Sequence, residues 1–317
     1  MVLMTIAAIG GCSSSVNSTG GKSTQNYALP DISGPEPSIP SLITEPSGDP
    51  AKSINFKDGG AVIRPDGSMT LPLDLYDSAD DKAVIAHAET ALAQQCMRSK
   101  GFELPPSLVR NTGPQPPAPF VLYGVIDMAG AKSFGYRDPV SFAASTSQPK
   151  DSEKITQAVS QAYFDNPKTG QIGCQGEAHK KLGGDAEMAL FVLLQDLRSE
   201  ALSAAHRDSR VKSVTSKWSA CMKSAGFDYP DPAAPAHDRS LLGRGLPTPP
   251  GATLPPPSPA EIAVAVADVT CKRQTQYLQT IALVSAAYQQ EIIVRQAQRL
   301  QDAQRKEKQE VDAAKSA

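Results

Sequence analysis

The sequence has few aromatic residues, little excess charge and no long apolar run. Aromatic residues make up 5% of the 317 residues, with a single tryptophan, Trp218, so an aromatic-lined sugar site or a base-stacking surface would have few rings to use. The net charge of −2 and the pI of about 6.1 lack the basic excess of a nucleic-acid-binding domain. No stretch of about 20 apolar residues could form a spanning helix. We therefore expect no nucleic-acid partner.

The common signatures of catalysis and metal binding are also missing. The chain has no G-x-S-x-G, H-E-x-x-H or C-x-x-C motif, and its four histidines have no recognisable partner spacing. His179 follows Cys174 by five residues, but no second cysteine or histidine accompanies the pair, which is weak evidence for zinc. We predict no catalytic residue, metal or cofactor from these patterns. Paired carboxylates meet only in space, so a hydrolase site of that kind stays open.

The amino terminus is typical of a lipoprotein. Residues 2–9 form a short apolar run that ends in Ile-Gly-Gly followed by Cys12, which resembles a lipobox whose cysteine receives diacylglycerol. No lysine or arginine precedes the run. We therefore interpret residues 1–11 as a signal peptide truncated at its N-terminus and expect the start codon upstream of Met1. The alternative is an apolar terminus with a chance cysteine.

The rest of the chain divides into a linker, a body and a tail. In residues 13–50, 19 of 38 positions are Ser, Gly or Pro, so residues 12–50 combine the anchor cysteine with a flexible linker. Residues 51–300 carry the periodic apolar pattern of a helical body. Residues 301–317 are a charged helical tail.

Four further cysteines and a duplicated motif characterise the body. With Cys12 lipidated, an even number remains, which in an exported protein indicates disulfide bonds. The four are Cys96, Cys174, Cys221 and Cys271. The motif C-M-x-x-x-G-F occurs at 96–102 and again at 221–227, so the chain contains an internal duplication. Three connectivities are possible, and we favour pairing each motif cysteine with the next cysteine in the chain, because this keeps the two halves alike. A redox role is the alternative.

The duplicated motif has a structural explanation. A glycine in the left-handed conformation is expected to end each helix, and the phenylalanine after it then packs against the methionine five residues before. A proline three residues further on prevents the helix from restarting. The motif residues are Met97, Gly101, Phe102, Met222, Gly226 and Phe227.

The coarse pattern predicts a mainly α fold, made of a disulfide-linked helical body with a small N-terminal β-hairpin and a long C-terminal helix. The hairpin lies within 61–71 around a Pro-Asp-Gly turn. Helices are expected from Ser78, over 152–164 and 174–182, after Asp185, and after Asp208, where Trp218 packs beside the second disulfide. A ligand platform is the alternative role of Trp218. Residues 104–148 remain between these elements and are expected to be an irregular flap over the helices, or a functional loop.

The C-terminal third contains the best marked helix start. Residues 230–259 hold ten prolines and are expected to be extended or disordered. Ser258 then supplies a cap and Glu261 a capping-box carboxylate. Nothing interrupts the pattern over 260–310, which would span roughly 75 Å and must therefore project or bend. The mixed-charge end, 302–315, is expected to be solvated, with a partner-binding coiled coil as the alternative.

Several motifs together resemble a family of secreted or lipid-anchored proteins from streptomycetes and related actinobacteria. They are Y-G-V at 123–125, F-G-Y at 134–136, W-S-A-C-M with G-F at 218–227, and A-D-V-T-C-K at 267–272. The resemblance covers residues 75–295 and implies an exported, disulfide-bonded protein with no catalytic residue. By spacing alone, Asp268 and Lys272 would form an i, i+4 ion pair on the surface of a helix.

The sequence therefore favours a lipid-anchored binding or scaffold protein at the outer face of the cytoplasmic membrane. Its expected partners are the membrane, through the lipid anchor, and an envelope or transporter protein. The alternative is a cell-envelope hydrolase that uses paired carboxylates.

Overall fold

The computed structural model of the chain describes residues 35–38, 60–63, 69–109, 123–138, 155–242 and 256–317. The lipobox, most of the linker and the turn of the hairpin lie outside these residues.

The described residues form a helical body with one small sheet. Strands β1 (Val62–Ile63) and β2 (Met69–Thr70) pair antiparallel. The helices are α1 (Ala79–Ser99), α2 (Met128–Phe134), α3 (Gln157–Tyr163), α4 (Cys174–Leu182), α5 (Ala186–Arg207), α6 (Ser209–Ser224), α7 (Ala234–His237), α8 (Arg239–Leu242), α9 (Pro259–Gln274), α10 (Tyr277–Arg295) and α11 (Ala297–Ser316). Short 3-10 turns cover Pro72–Tyr76 and Pro106–Leu108. The mainly α fold with a hairpin and a long C-terminal helical segment is confirmed.

Helices α5 and α10 are central to the packing. Helix α5 packs against α10 and α11, while α1 packs against α4 and α11, and α9 packs against α2 and α6. Leu190, Leu194 and Leu197 of α5 are almost completely buried, as the apolar spacing of this helix predicts. Among the described residues, no helix combines the length and apolar composition that crossing a membrane requires.

The two disulfides join the expected cysteines. Cys96 is bonded to Cys174 and Cys221 to Cys271, so each motif cysteine pairs with the next cysteine in the chain. The first bond attaches the end of α1 to the start of α4, and the second attaches the end of α6 to the last turn of α9. Around the first bond lies a small apolar core that contains Met97 and Phe102. A second apolar core contains Trp218, Met222 and Phe227 beside the second bond.

Both copies of the motif end their helices in the same way. Gly101 and Gly226 have φ values of +82° and +92°. The following N–H groups, those of Phe102 and Phe227, each donate to the carbonyl oxygen of the methionine five residues earlier, at 2.9 Å. This is a Schellman cap, in which the backbone turns left-handed to satisfy carbonyls at the end of the helix.

We expect Gly226→Ala to destabilise the protein by about 1–2 kcal/mol, because the Cβ atom of alanine makes the left-handed backbone conformation unfavourable. A Cβ atom at this position would meet no heavy atom within 4 Å, so the loss would come from the backbone alone. Gly226→Asn is the matched control and should lose less, since asparagine tolerates this conformation. Urea denaturation with intact disulfides measures both. An equal loss for Ala and Asn would contradict the backbone explanation.

The C-terminal segment bends twice, as its length led us to expect. The bends lie at Thr275 and Gln276 and again at Gln296, so the long pattern becomes α9, α10 and α11. The C-terminal third departs from the sequence expectation in two other places. The proline-rich connection contains two short helices, α7 and α8, where an extended chain was expected. The charged tail is not a solvated end, because α11 buries Leu300, Glu307, Glu310, Val311 and Ala314 against the body.

Candidate functional site

A charged cluster lies in the interior of the second half of the body. Asp268 and Lys272, one turn apart on α9, form an ion pair with 3.0 Å between Nζ and Oδ2, and both side chains are fully buried. The indole N–H of Trp218 donates to Asp268 Oδ1 at 2.9 Å, and the Tyr136 hydroxyl donates to Oδ2 at 3.1 Å. We call these four residues the buried polar cluster. The expectation of a surface ion pair is wrong, because flap residues and α6 cover this face of α9.

Lys272 connects the cluster to the flap. Its ammonium donates to the backbone carbonyls of Tyr123 and Val125, each at 2.9 Å, as well as to Asp268. All three ammonium protons therefore have acceptors, which is the condition for keeping a lysine charged in a dry interior. Gly124 lies between the two carbonyls with a φ of +68°. Lys272 thus holds a sharp backbone turn that starts 149 residues earlier in the chain.

A second buried carboxylate holds the other end of the flap. Glu261 is fully buried, and its Oε1 accepts the backbone N–H of Tyr136 at 3.0 Å. Its Oε2 lies 3.4 Å from Arg137 Nη2. Gly135 has a φ of +58°, and a Cβ atom there would lie 2.7 Å from the Glu261 side chain. Ser258 accepts the N–H of Glu261, so the predicted cap is present, but the carboxylate itself contacts the flap.

Burial and hydrogen bonding act in opposite directions on Asp268. Burial raises the pKa of its carboxyl, while the ammonium of Lys272 and the hydrogen bonds from Lys272, Tyr136 and Trp218 lower it. Burial also raises the pKa of Tyr123 to about 12, so its phenol keeps its proton at neutral pH. Both oxygens of Asp268 have hydrogen-bond partners inside the protein, so the cluster acts as a structural support for the flap.

A cavity of about 790 Å³ lies directly beside this support, and we call it the flap cavity. Its flap side consists of Tyr123, Gly124, Val125 and Tyr136, all of which contact or adjoin the buried polar cluster. Thr215 and Ser216 of α6 and Tyr277 at the start of α10 form other walls. Volumes of 300–1,000 Å³ are typical of small-molecule sites.

The rim of the flap cavity carries mixed charge. Lys212, His206 and His237 contribute basic groups, and Asp231 contributes a carboxylate. Partial burial lowers the pKa of His206, and the nearby Asp231 carboxylate opposes the shift. Asp231 Oδ1 accepts the N–H groups of Ala233 and Ala234, which fixes its carboxylate. The cavity therefore offers a polar rim over a partly aromatic interior.

Backbone strain occurs at the edge of the flap cavity. Gln276 has a φ of +56° and is the one non-glycine residue with positive φ among the described residues. It immediately precedes Tyr277, whose ring is buried and lines the cavity. A left-handed non-glycine residue costs roughly 1–2 kcal/mol, and such residues are concentrated at functional sites.

A second cavity, of about 750 Å³, lies in the first half of the body, and we call it the acidic cavity. His179 of α4 lies between two carboxylates there, with Nε2 3.1 Å from Glu89 and Nδ1 2.6 Å from Asp185. The hydrogen bond with Glu89 raises the pKa of His179. Asp185 was expected to cap α5, but its carboxylate makes no capping hydrogen bond and contacts His179 instead. Asp165, Glu187 and Glu310 are the other acidic residues of the lining.

The structure brings together the motifs on which the family resemblance rests. The Y-G-V, F-G-Y, W-S-A-C-M and A-D-V-T-C-K segments supply Tyr123, Tyr136, Trp218, Asp268 and Lys272, which meet at one point. Sequence reasoning placed Trp218 beside the second disulfide, which is confirmed, but missed its hydrogen bond to Asp268. A usable signal was present. Glu261, Asp268 and Lys272 occupy the same α9 stripe as the apolar residues Val264, Ala265 and Val269.

No group of three or more His, Cys, Asp or Glu side chains within the described residues has the arrangement of a metal site. No family model matches the chain, and no curated protein or solved structure matches it.

Proposed function

We propose that the chain is an exported, lipid-anchored binding protein whose ligand occupies the flap cavity. The observation that carries this proposal is the rigid floor of the cavity. Lys272 and Asp268 hold Tyr123, Val125 and Tyr136 through hydrogen bonds that are fully buried. A preformed site binds its ligand without losing conformational entropy to order the cavity walls, which favours affinity in a small cavity.

The location outside the cytoplasm is supported by chemistry that the chain shares with exported proteins. Two disulfides link its helices, and such bonds persist in oxidising compartments. The Ile-Gly-Gly-Cys sequence at 9–12 supplies a candidate lipidation site at Cys12. In this proposal the linker holds the body above the outer face of the cytoplasmic membrane, where it presents its ligand to an envelope transporter or a similar partner.

One measurement can test both parts of the proposal, the bound ligand and the lipid on Cys12. Native mass spectrometry of the protein isolated from its own membrane should show diacylglycerol on Cys12 and a small molecule retained by the body. Ser216→Trp fills the exposed wall of the flap cavity and should abolish retention. Ser213→Trp introduces the same ring on α6 outside the cavity lining and should retain the ligand. Loss of the ligand in both variants, or an unmodified Cys12, would overturn the proposal.

The acidic cavity favours a hydrolase as the second candidate. It groups Glu89, Asp185 and Glu310, and burial raises the pKa of Glu310, as a general acid requires. Glu89 and Asp185 are both committed to His179, however, which leaves them less suited to act on a substrate. The two candidates differ in the spectrum described above, since a hydrolase would release fragments of a wall polymer and retain no intact ligand.

A further inference from the structure

Helix α11 attaches to the body through two buried carboxyl groups. It packs against α5, α1 and α4. Two of the side chains that it buries are acidic, Glu307 at 7% exposure and Glu310 at 2%. Acidic side chains are almost never buried to this degree unless a cation accompanies them, because an isolated buried charge is costly.

Glu307 faces an acidic surface without a cation of its own. The charged groups around it are Asp81 and Lys82 of α1, Asp77 just before α1, and Glu187 of α5. Lys82 forms its ion pair with Asp77 and lies over the ring of Phe191. The nearby guanidinium of Arg198 binds Asp74 and Asp77. Within the described part of the chain, Glu307 therefore has neither an ion pair nor a hydrogen bond.

Glu310 is surrounded in the same way. Glu89 of α1, Asp185 and Glu187 at the start of α5, and His179 of α4 face it. Its Oε2 accepts the backbone N–H of Glu187 at 2.7 Å. The basic group that faces it among the described residues is His179, which is paired with Glu89 and Asp185. Glu310 thus has one neutral donor and three carboxylate neighbours.

We propose that α11 is a proton-dependent latch, which docks when Glu307 and Glu310 are protonated and loosens when both ionise. Ionisation would place two further negative charges in a groove that already contains Asp77, Asp81, Glu89, Asp185 and Glu187. Like charges at short distance in a partly dry site repel each other more strongly than in bulk water, because the local dielectric is lower. Because Glu310 also lines the acidic cavity, release of α11 opens that cavity on one side.

The direction of the pH dependence follows from the titration of these groups. Burial, with Asp81, Glu187 and Asp77, raises the pKa of Glu307 from 4.5 to about 7, and burial also raises the pKa of Glu310. A carboxyl with a raised pKa binds more protons when docked than when free, so docking weakens as pH rises from 4.5 through about 7. Glu89 and Asp185 are the main carboxylates that raise the pKa of His179, and Glu310 adds to the shift, so the attraction between His179 and Glu310 is also lost as pH rises.

Hydrogen exchange of the full, disulfide-bonded chain at pH 6 and pH 8 tests the latch. After correction for intrinsic exchange rates, amides of Ala297–Ser316 should open at least about tenfold more often at pH 8. Between pH 6 and the docked pKa of Glu307, about 7, the docked helix binds about one proton more than the free helix, and each such pH unit is a factor of 10. Amides of Pro259–Gln274 are the internal reference and should not change. A parallel rise in both helices would indicate global unfolding and would overturn the proposal.

Matched variants assign the effect to the buried carboxyls. Glu307→Gln with Glu310→Gln should slow the exchange of α11 at pH 8 and remove the pH dependence. The control, Asp302→Asn with Asp312→Asn, changes two carboxylates on the same helix that contact Arg305 and Lys308. It should keep the wild-type ratio of α11 opening at pH 8 to opening at pH 6. Glu307→Gln alone removes no hydrogen bond among the described residues and should remove part of the dependence. A wild-type ratio in the Glu307 and Glu310 variants would overturn the latch.

Discussion

Lys272→Met is expected to lower the free energy of unfolding by about 3–5 kcal/mol, the usual cost of removing one partner from a buried ion pair. The substitution leaves the Asp268 carboxylate buried without its cation and leaves the carbonyls of Tyr123 and Val125 without their donor. Both losses act in the same place, so we expect the upper half of this range. Urea denaturation followed by the fluorescence of Trp218, the single tryptophan, measures the effect inside the cluster itself.

The chain provides a matched control for this variant. Lys308 and Asp312 form an i, i+4 ion pair of 2.9 Å on α11, but their side chains are 62% and 61% exposed. Lys308→Met should therefore change stability far less than Lys272→Met. Adding Asp268→Asn to Lys272→Met removes the unpaired buried carboxylate, so the double variant should be more stable than Lys272→Met alone. A Lys272→Met loss as small as that of Lys308→Met would contradict the burial of the pair.

Removing either disulfide by a pair of alanine substitutions is expected to cost about 4 kcal/mol, because both close long loops in the unfolded chain. The sequence separations are 78 for Cys96 and Cys174 and 50 for Cys221 and Cys271. The chain-entropy contribution varies only with the logarithm of loop length, so it differs little between the two bonds. Denaturant midpoints of the two double variants measure the losses.

The two bonds should differ in their coupling to the buried polar cluster. The bond between Cys221 and Cys271 joins α6 to α9, the helices across which Trp218 donates to Asp268. When its removal is combined with Lys272→Met, the loss of stability should therefore differ from the sum of the two separate losses by at least about 0.5 kcal/mol. Removal of the bond between Cys96 and Cys174, which lies in the other apolar core, should add to Lys272→Met. Equal coupling for both bonds would mean that the second disulfide does not support the cluster.

The features that the sequence predicted are local or repeated. A Schellman cap depends on a glycine and on residues five positions apart, so Gly101 and Gly226 could be identified directly. The disulfide pairing was the one that the duplication favoured among three possible connectivities, because it gives each half its own bond. Helix positions followed from apolar spacing in α1, α5 and α6.

The features that it did not predict depend on residues far apart in the chain. An aspartate and a lysine at i, i+4 have the same spacing whether the helix face is exposed to solvent or buried. Burial of Asp268 and Lys272 is decided by the flap, 147 and 149 residues away, and by Trp218. The same holds for Glu307 and Glu310, whose neighbours on α1 and α5 precede them by more than a hundred residues. Charge pattern alone therefore suggested a solvated tail.

The order of the two disulfides along the chain affects how the protein survives cleavage. The bonds close the segments 96–174 and 221–271 one after the other, without overlap. The proline-rich stretch after Leu104 and the one before Ser258 each fall inside a closed segment, whereas the connection from Cys174 to Cys221 runs mainly through α4, α5 and α6. A protease that cuts either proline-rich stretch once would therefore leave both fragments covalently joined, so a cleaved chain stays in one piece.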